Sequence, residues 1–361
     1  MQNDRSEEGK DVKMARKIKA GGTLALALMF AALSAAPGTV YGAAAIDTKK
    51  ECTLTFDMSG TEFTELSGEN GLPVMVHLYQ VASVDENGRF TAEAPYQDAL
   101  SGLDTINDQT SAEEWQLMAE EAAQIAEPKT EDKTPMEGAQ TPGWTAEIVD
   151  GKGRIEGNEA AALLPGLYLV LAQPVESPAF SYTFQPNLVA LPGNQYYETG
   201  ADTWIYDVTM GLKPRQENRL GSLLISKTID AYEPQGAADR TLFVFQVEVK
   251  KTEEGAAGME ERLYYSDVVA IDFDAAGTKT LEIPNLPAGA QATVTEVYSG
   301  ASYTIPVQEA TVQPDPIVAD SQVTASFQNQ YSGGLKGGSG VVNHFEHDGS
   351  TWNWTQGMPR Q

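Results

Sequence analysis

The stretch Gly221-Ser-Leu-Leu-Ile-Ser-Lys-Thr-Ile229 decides how this chain is read. Successive side chains of a strand point to opposite sides, so Leu223, Ile225, Lys227 and Ile229 share one apolar face. Lys227 therefore points where a core residue belongs. The same count groups Ala292, Val294, Glu296 and Tyr298, and further on Val323, Ala325, Phe327, Asn329 and Tyr331. An amine, a carboxyl and a carboxamide thus face the interior of one module. Each is costly to bury alone, so the three are tolerable only as partners of one another.

Working outward, Leu242, Val244, Gln246 and Glu248 alternate with Phe243, Phe245, Val247 and Val249, the pattern of an antiparallel sheet with one wet face. This places a β-sandwich over residues 221–331. The polar run Lys213-Pro-Arg-Gln-Glu-Asn-Arg-Leu220 marks a boundary before it. Residues 46–213 read as a second set of short strands: Leu54 to Met58, Val74 to Val84, Gly166 to Ala172, Tyr182 to Leu191 and Trp204 to Met210. Turn signals such as Glu86-Asn87-Gly88 and Pro192-Gly193-Asn194 separate them. One helix, 111–126, interrupts them: Ser111 and Glu114 form a capping box, and Trp115, Met118, Ala119, Ala122, Ile125 and Ala126 recur at helical spacing. The Glu-, Lys-, Thr- and Pro-rich segment 126–141 is expected to be a mobile surface loop.

At the N-terminus, Arg16, Lys17 and Lys19 precede an apolar run from Leu24 to Leu33 and then small residues up to Ala45. This is the order of a secretory signal, and the apolar run is too short to span a bilayer. Residues 1–45 are expected to be that signal, and the chain to be exported to the cell surface, cell wall or medium. Removing residues 1–42 takes away six basic and four acidic side chains and moves the net charge from −27 to −29. Such a field repels nucleic acid and anionic lipid, which excludes both as partners. Cys52 is the only cysteine, so no disulfide can staple the chain internally, and its strand-like surroundings make it a small buried residue. At the other end, 332–361 reads as a Gly/Ser linker and a hairpin tail turning at Asp348-Gly349, with Trp352 and Trp354 on one face.

The run from Gly221 to Thr228, the turn Leu286-Pro-Ala-Gly289 before Thr293-Val-Thr-Glu296, and the closing Val323-Thr-Ala-Ser-Phe-Gln-Asn329 resemble the B-type repeat of Gram-positive collagen adhesins and pilins. The resemblance implies an immunoglobulin-like sandwich. It further implies an intramolecular isopeptide bond between Lys227 and Asn329, with Glu296 as the catalytic carboxyl. Leu78-Tyr-Gln-Val-Ala-Ser-Val-Asp-Glu-Asn-Gly88 and Gly166-Leu-Tyr-Leu-Val170 are similar to phrases of the N-terminal domain of the same pilins. Trp204-Ile-Tyr-Asp-Val208-Thr-Met-Gly-Leu-Lys213 is similar to the pilin motif, whose lysine a sortase joins to the next subunit. Two departures stand out: Gly211-Leu212 replaces the motif's Tyr-Pro, and Leu-Pro-x-Thr-Gly does not occur. The whole then reads as all-β, two tandem immunoglobulin-like sandwiches, the first with an inserted helix. Its partners would be other pilin subunits and a sortase. An unpolymerised adhesin that binds a host matrix protein or glycan is the alternative.

For an amide bond to form, the amine must be neutral, and an apolar interior favours neutral forms of both amine and carboxyl. The bond would close 102 residues and, by analogy with a disulfide over a loop of about that length, could stabilise by ~5 kcal/mol. The residues alone leave a second outcome open, a buried Lys–Glu ion pair with Asn329 hydrogen-bonded beside it. No comparable trio occurs in residues 46–213, so no bond is expected there. His344 and His347, three apart on a strand, fall on opposite faces, and His77 is isolated, so no metal site is expected. Neither a nucleophile–base pair nor a phosphate loop occurs, so the chain reads as a non-enzyme that needs no cofactor.

Overall fold

The computed structural model describes residues 45–106, 110–129, 137–157, 161–194, 203–232, 240–255, 258–300, 302–333, 343–347 and 352–356. Residues 1–44 of the expected signal segment and 130–136 of the 126–141 loop lie outside them. The described chain is all-β apart from the helix Ala112–Ala126 and a few single helical turns.

The N-terminal unit is built on the strand Val74–Val84. Trp144–Ile148 and Gly166–Ala172 pair with it, Phe90–Ala92 extends it at one end, and Asn187–Leu191 pairs beyond Gly166–Ala172. This sheet is covered on both faces, which explains the unbroken apolar run Leu167-Tyr-Leu-Val-Leu171. Tyr168 and Val170 join Leu54, Phe56, Val76 and Ile148 in one core. Leu167, Leu169 and Leu171 instead meet Met118, Ala119 and Ala122 of the helix. The helix begins as its sequence requires: the Ser111 hydroxyl accepts from the Glu114 backbone N–H, and the Glu114 carboxylate accepts from that of Ser111. Cys52 is buried, and burial pushes its thiol up to about 12, an inert group.

Several expectations are corrected here. Tyr182 to Leu191 is two strands, Phe180–Phe184 and Asn187–Leu191, because Pro186 between them has no N–H for a ladder. Trp204 to Met210 divides similarly into Trp204–Ile205 and Asp207–Met210, and Gly193–Asn194, read as turn residues, pair with the former as a short strand. The run 213–220, read as the boundary, is mostly strand. Pro214–Asn218 pairs antiparallel with Phe180–Phe184, and after Arg219 alone the next strand, Leu220–Ile229, begins in the other unit.

The C-terminal unit is a sandwich of two four-stranded sheets. One has the order Gly277–Pro287, Leu220–Ile229, Gln322–Tyr331, Tyr303–Thr304. The other has the order Gly258–Phe273, Thr241–Gly255, Gln291–Tyr298, Thr311–Val312. Leu223, Ile225, Phe243, Phe245, Val247, Val294, Ala325 and Phe327 fill the space between them. The first and last strands, Leu220–Ile229 and Gln322–Tyr331, lie side by side and parallel. Gly221 is needed here because a Cβ would stand 2.1 Å from the Val318 carbonyl oxygen. Thr241–Gly255 and Gly258–Phe273 stay paired past the last rung shared with Gln291–Tyr298, so their tip is a two-stranded ribbon running beyond the sandwich. In the tail, Asn343–His347 pairs with Trp352–Gln356, with His347 opposite Trp352. The expected turn at Asp348-Gly349 lies outside the described residues.

Candidate functional site

Alternation and register together bring the three polar residues to one point. Lys227 pairs in register with Phe327 on the neighbouring parallel strand, and Asn329, two residues on, faces the same side. Glu296 comes from the opposing sheet, from a strand whose inward residues Ala292 and Val294 are fully buried. Tyr298 does not follow them inward. A register irregularity between Val244 and Phe245 against this strand breaks the alternation, and Tyr298 is exposed.

The Lys227 Nζ lies 2.8 Å from Glu296 Oε2 and 3.0 Å from Oε1. Asn329 Nδ2 donates to the same Oε1 at 2.6 Å and to the Ser299 carbonyl at 3.3 Å. Both side chains of the ion pair are 0% exposed. Phe243 and Phe245 wall the amine, their ring centroids 4.7 and 5.9 Å from Nζ. Burial lowers the Lys227 pKa, and the hydrogen bond and charge of Glu296 only partly oppose that shift. The Asn329 Oδ1 is enclosed and has no hydrogen-bond partner among the described residues. Half a turn of the amide would put this oxygen at the carboxyl, an arrangement that requires a proton on Glu296. One carboxyl thus touches both the amine and the amide, and either of its protonation states has a matching hydrogen-bond pattern.

The other expected site residues fall elsewhere. Trp204 and Val208 are half-buried on the two short strands that replace the single expected one, and Val208 packs on the N-terminal core. Lys213 is half-buried beside the buried Leu212, and its carbonyl accepts from the Gln185 N–H. His77 is not isolated. Its Nδ1 is 2.7 Å from a Glu127 carboxylate that also accepts from Tyr79 and Gln173, because the helix ends over this strand. No group of three or more metal-ligating side chains gathers among the described residues, and no helix among them is long and apolar enough to cross a membrane. The strands carrying His344, His347, Trp352 and Trp354 are paired as given above.

A second polar group had no place in the expectations. Lys251 is 7% exposed, with Asn218, Glu253 and Tyr264 around it. The signal was present, since the count that turns Val247 and Val249 inward turns Lys251 inward too.

A family model described as a domain of unknown function, DUF5979, matches residues 223–332, which contain all three residues of the trio. None of the curated proteins searched matches the chain. Among solved structures, the chain is similar to the minor pilin GBS52 of Streptococcus agalactiae, at 15% identity over 78% of this chain and 96% of that one, with a TM-score of 0.22. It is similar to the major pilin of Streptococcus pyogenes at 12% identity, over 78% and 99% of the two chains, with a TM-score of 0.21. To the Bacillus anthracis TIE protein the figures are 16%, 56% and 30%, and 0.23.

Proposed function

We propose that this chain is an exported, pilin-like structural subunit whose C-terminal sandwich welds its first strand to its last through a Lys227–Asn329 amide bond. The observation that carries this reading is the buried contact of one carboxyl, Glu296, with both the amine and the amide. Glu296 takes a proton from Lys227. The neutral amine then attacks Asn329 Cγ, the Nζ–Cγ bond forming as the Cγ–Nδ2 bond breaks. One amine proton passes by way of the carboxyl to Nδ2, which leaves as ammonia. The chemistry happens once per chain and turns over no substrate, which makes the product a structural part and the chain a non-enzyme. It also removes the cost of an ammonium in an apolar core.

Intact mass of the purified chain, with its N-terminus determined, tests the reading. The expected result is a mass deficit that includes one ammonia which Lys227→Ala and Glu296→Ala each restore, and a digest containing a branched peptide that joins Lys227 to Asn329. An unbranched peptide with free Asn329 from the folded parent chain would sink it. Assembly belongs to the same proposal: Lys213, in the segment resembling the pilin motif with Trp204 and Val208, is the acceptor through which a sortase would link subunits.

A further inference from the structure

Where the two units meet, a lysine, an asparagine and a carboxyl converge a second time. Asn218 ends the strand Pro214–Asn218, which is paired into the N-terminal unit, and Lys251 stands at the base of the ribbon that leaves the C-terminal sandwich. The Lys251 Nζ donates to Asn218 Oδ1 at 2.8 Å and sits 4.2 Å from the centroid of the Phe180 ring. Glu253 Oε1 is 3.9 Å from the same nitrogen. The Tyr264 hydroxyl donates to that Glu253 oxygen at 2.5 Å and is hydrogen-bonded to Asn218 as well. Three groups that can hold or pass a proton, Lys251, Glu253 and Tyr264, therefore gather around the Asn218 amide.

As an ion pair the arrangement is poor. An ammonium that is nearly excluded from water rests on a ring and a neutral amide, and its carboxylate is beyond hydrogen-bond reach. Burial lowers the Lys251 pKa, and Glu253 and Glu65 only partly oppose this. Converting amine and amide into a secondary amide would remove the charge and keep the packing.

We propose that Lys251 and Asn218 condense into a second amide bond, one that crosses from the C-terminal unit to the N-terminal unit. Nζ bonds to Asn218 Cγ and the Cγ–Nδ2 bond breaks. Glu253 takes the proton that turns the Lys251 ammonium into a neutral amine; Tyr264 hands its own proton to the departing nitrogen and is reprotonated by Glu253, which then keeps the second proton that the amine loses on forming the amide. Ammonia is the only product released. The step needs no oxidant, metal or added reagent, and it does not depend on the Lys227 bond.

The test uses the full chain and reads both bonds separately. The parent chain is expected to be lighter than its sequence by two ammonia; Lys251→Arg should restore one and Lys227→Ala the other. A digest of the parent should hold a branched peptide joining Asn218 to Lys251. If Lys251→Arg leaves the mass deficit unchanged, or the folded parent yields Asn218 in an unbranched peptide, the contact is a hydrogen bond and the proposal fails. The digest decides even where the variant does not fold. A deficit of one ammonia that depends on Lys251 alone would overturn the proposed function and leave this bond standing, and a deficit that depends on Lys227 alone would do the reverse.

Discussion

Lys227 carries a signature that can be read from stability. In Asn329→Ala the amine has nothing to react with and stays free, with a folded pKa below the ordinary 10.5 because burial disfavours its charge. The unfolded chain then binds the proton more tightly than the folded one, so stability rises with pH through the window between the lowered value and 10.5, and falls as pH drops back through it. Urea unfolding of Asn329→Ala across the alkaline range should show that slope. If the proposed bond forms, the parent chain has no free amine and should lack the slope, and equal slopes would contradict the bond. Glu127 behaves in the opposite sense. Burial would raise its pKa, but hydrogen bonds from Gln173, His77 and Tyr79 hold it below the usual value, so its contribution is present above the ordinary carboxylate range and lost in acid.

At the scale of strands, Gly221 is the position where side-chain bulk is least tolerable. Alanine there would meet the Val318 carbonyl and, at 2.9 Å, both Ile317 Cγ2 and the Ser321 carbonyl. Gly221→Ala should cost on the order of 1–3 kcal/mol in urea unfolding of the full chain, since overpacking forces backbone shifts. A change near zero would mean that the strand can slide. The trio was legible in the sequence because period-two alternation is strict where one face is buried, and three polar residues broke it on three strands. Tyr298 was misread because a slip of register is invisible to counting. Pro214–Asn218 could not be found at all. It has no apolar face of its own, and only the backbone of Phe180–Phe184, some thirty residues earlier in the chain, makes it a strand. Lys251 went unread, because its meaning depends on Asn218 from the other unit.

Across the whole molecule, the joint between the units is a single residue held from both sides. The Arg219 backbone donates to the Ala179 carbonyl and accepts from Ala288, while its guanidinium reaches the Ser177 carbonyl, Glu176 and Asp320. Two strands meet end to end across it. If subunits are joined through Lys213, just before this joint, Lys213→Ala expressed in the native host should abolish the high-mass ladder on a denaturing gel. A ladder that persists would place the linkage at another residue.

The parallel register of Leu220–Ile229 and Gln322–Tyr331 sends the chain into the C-terminal sandwich at one pole and out at the other. Tension applied to the ends must then shear the whole hydrogen-bonded ladder at once and cannot peel it rung by rung. With Lys227 joined to Asn329, the load would bypass everything between them. Such a module has no slack to give up: a tether made of many copies would keep its contour length until a covalent bond failed.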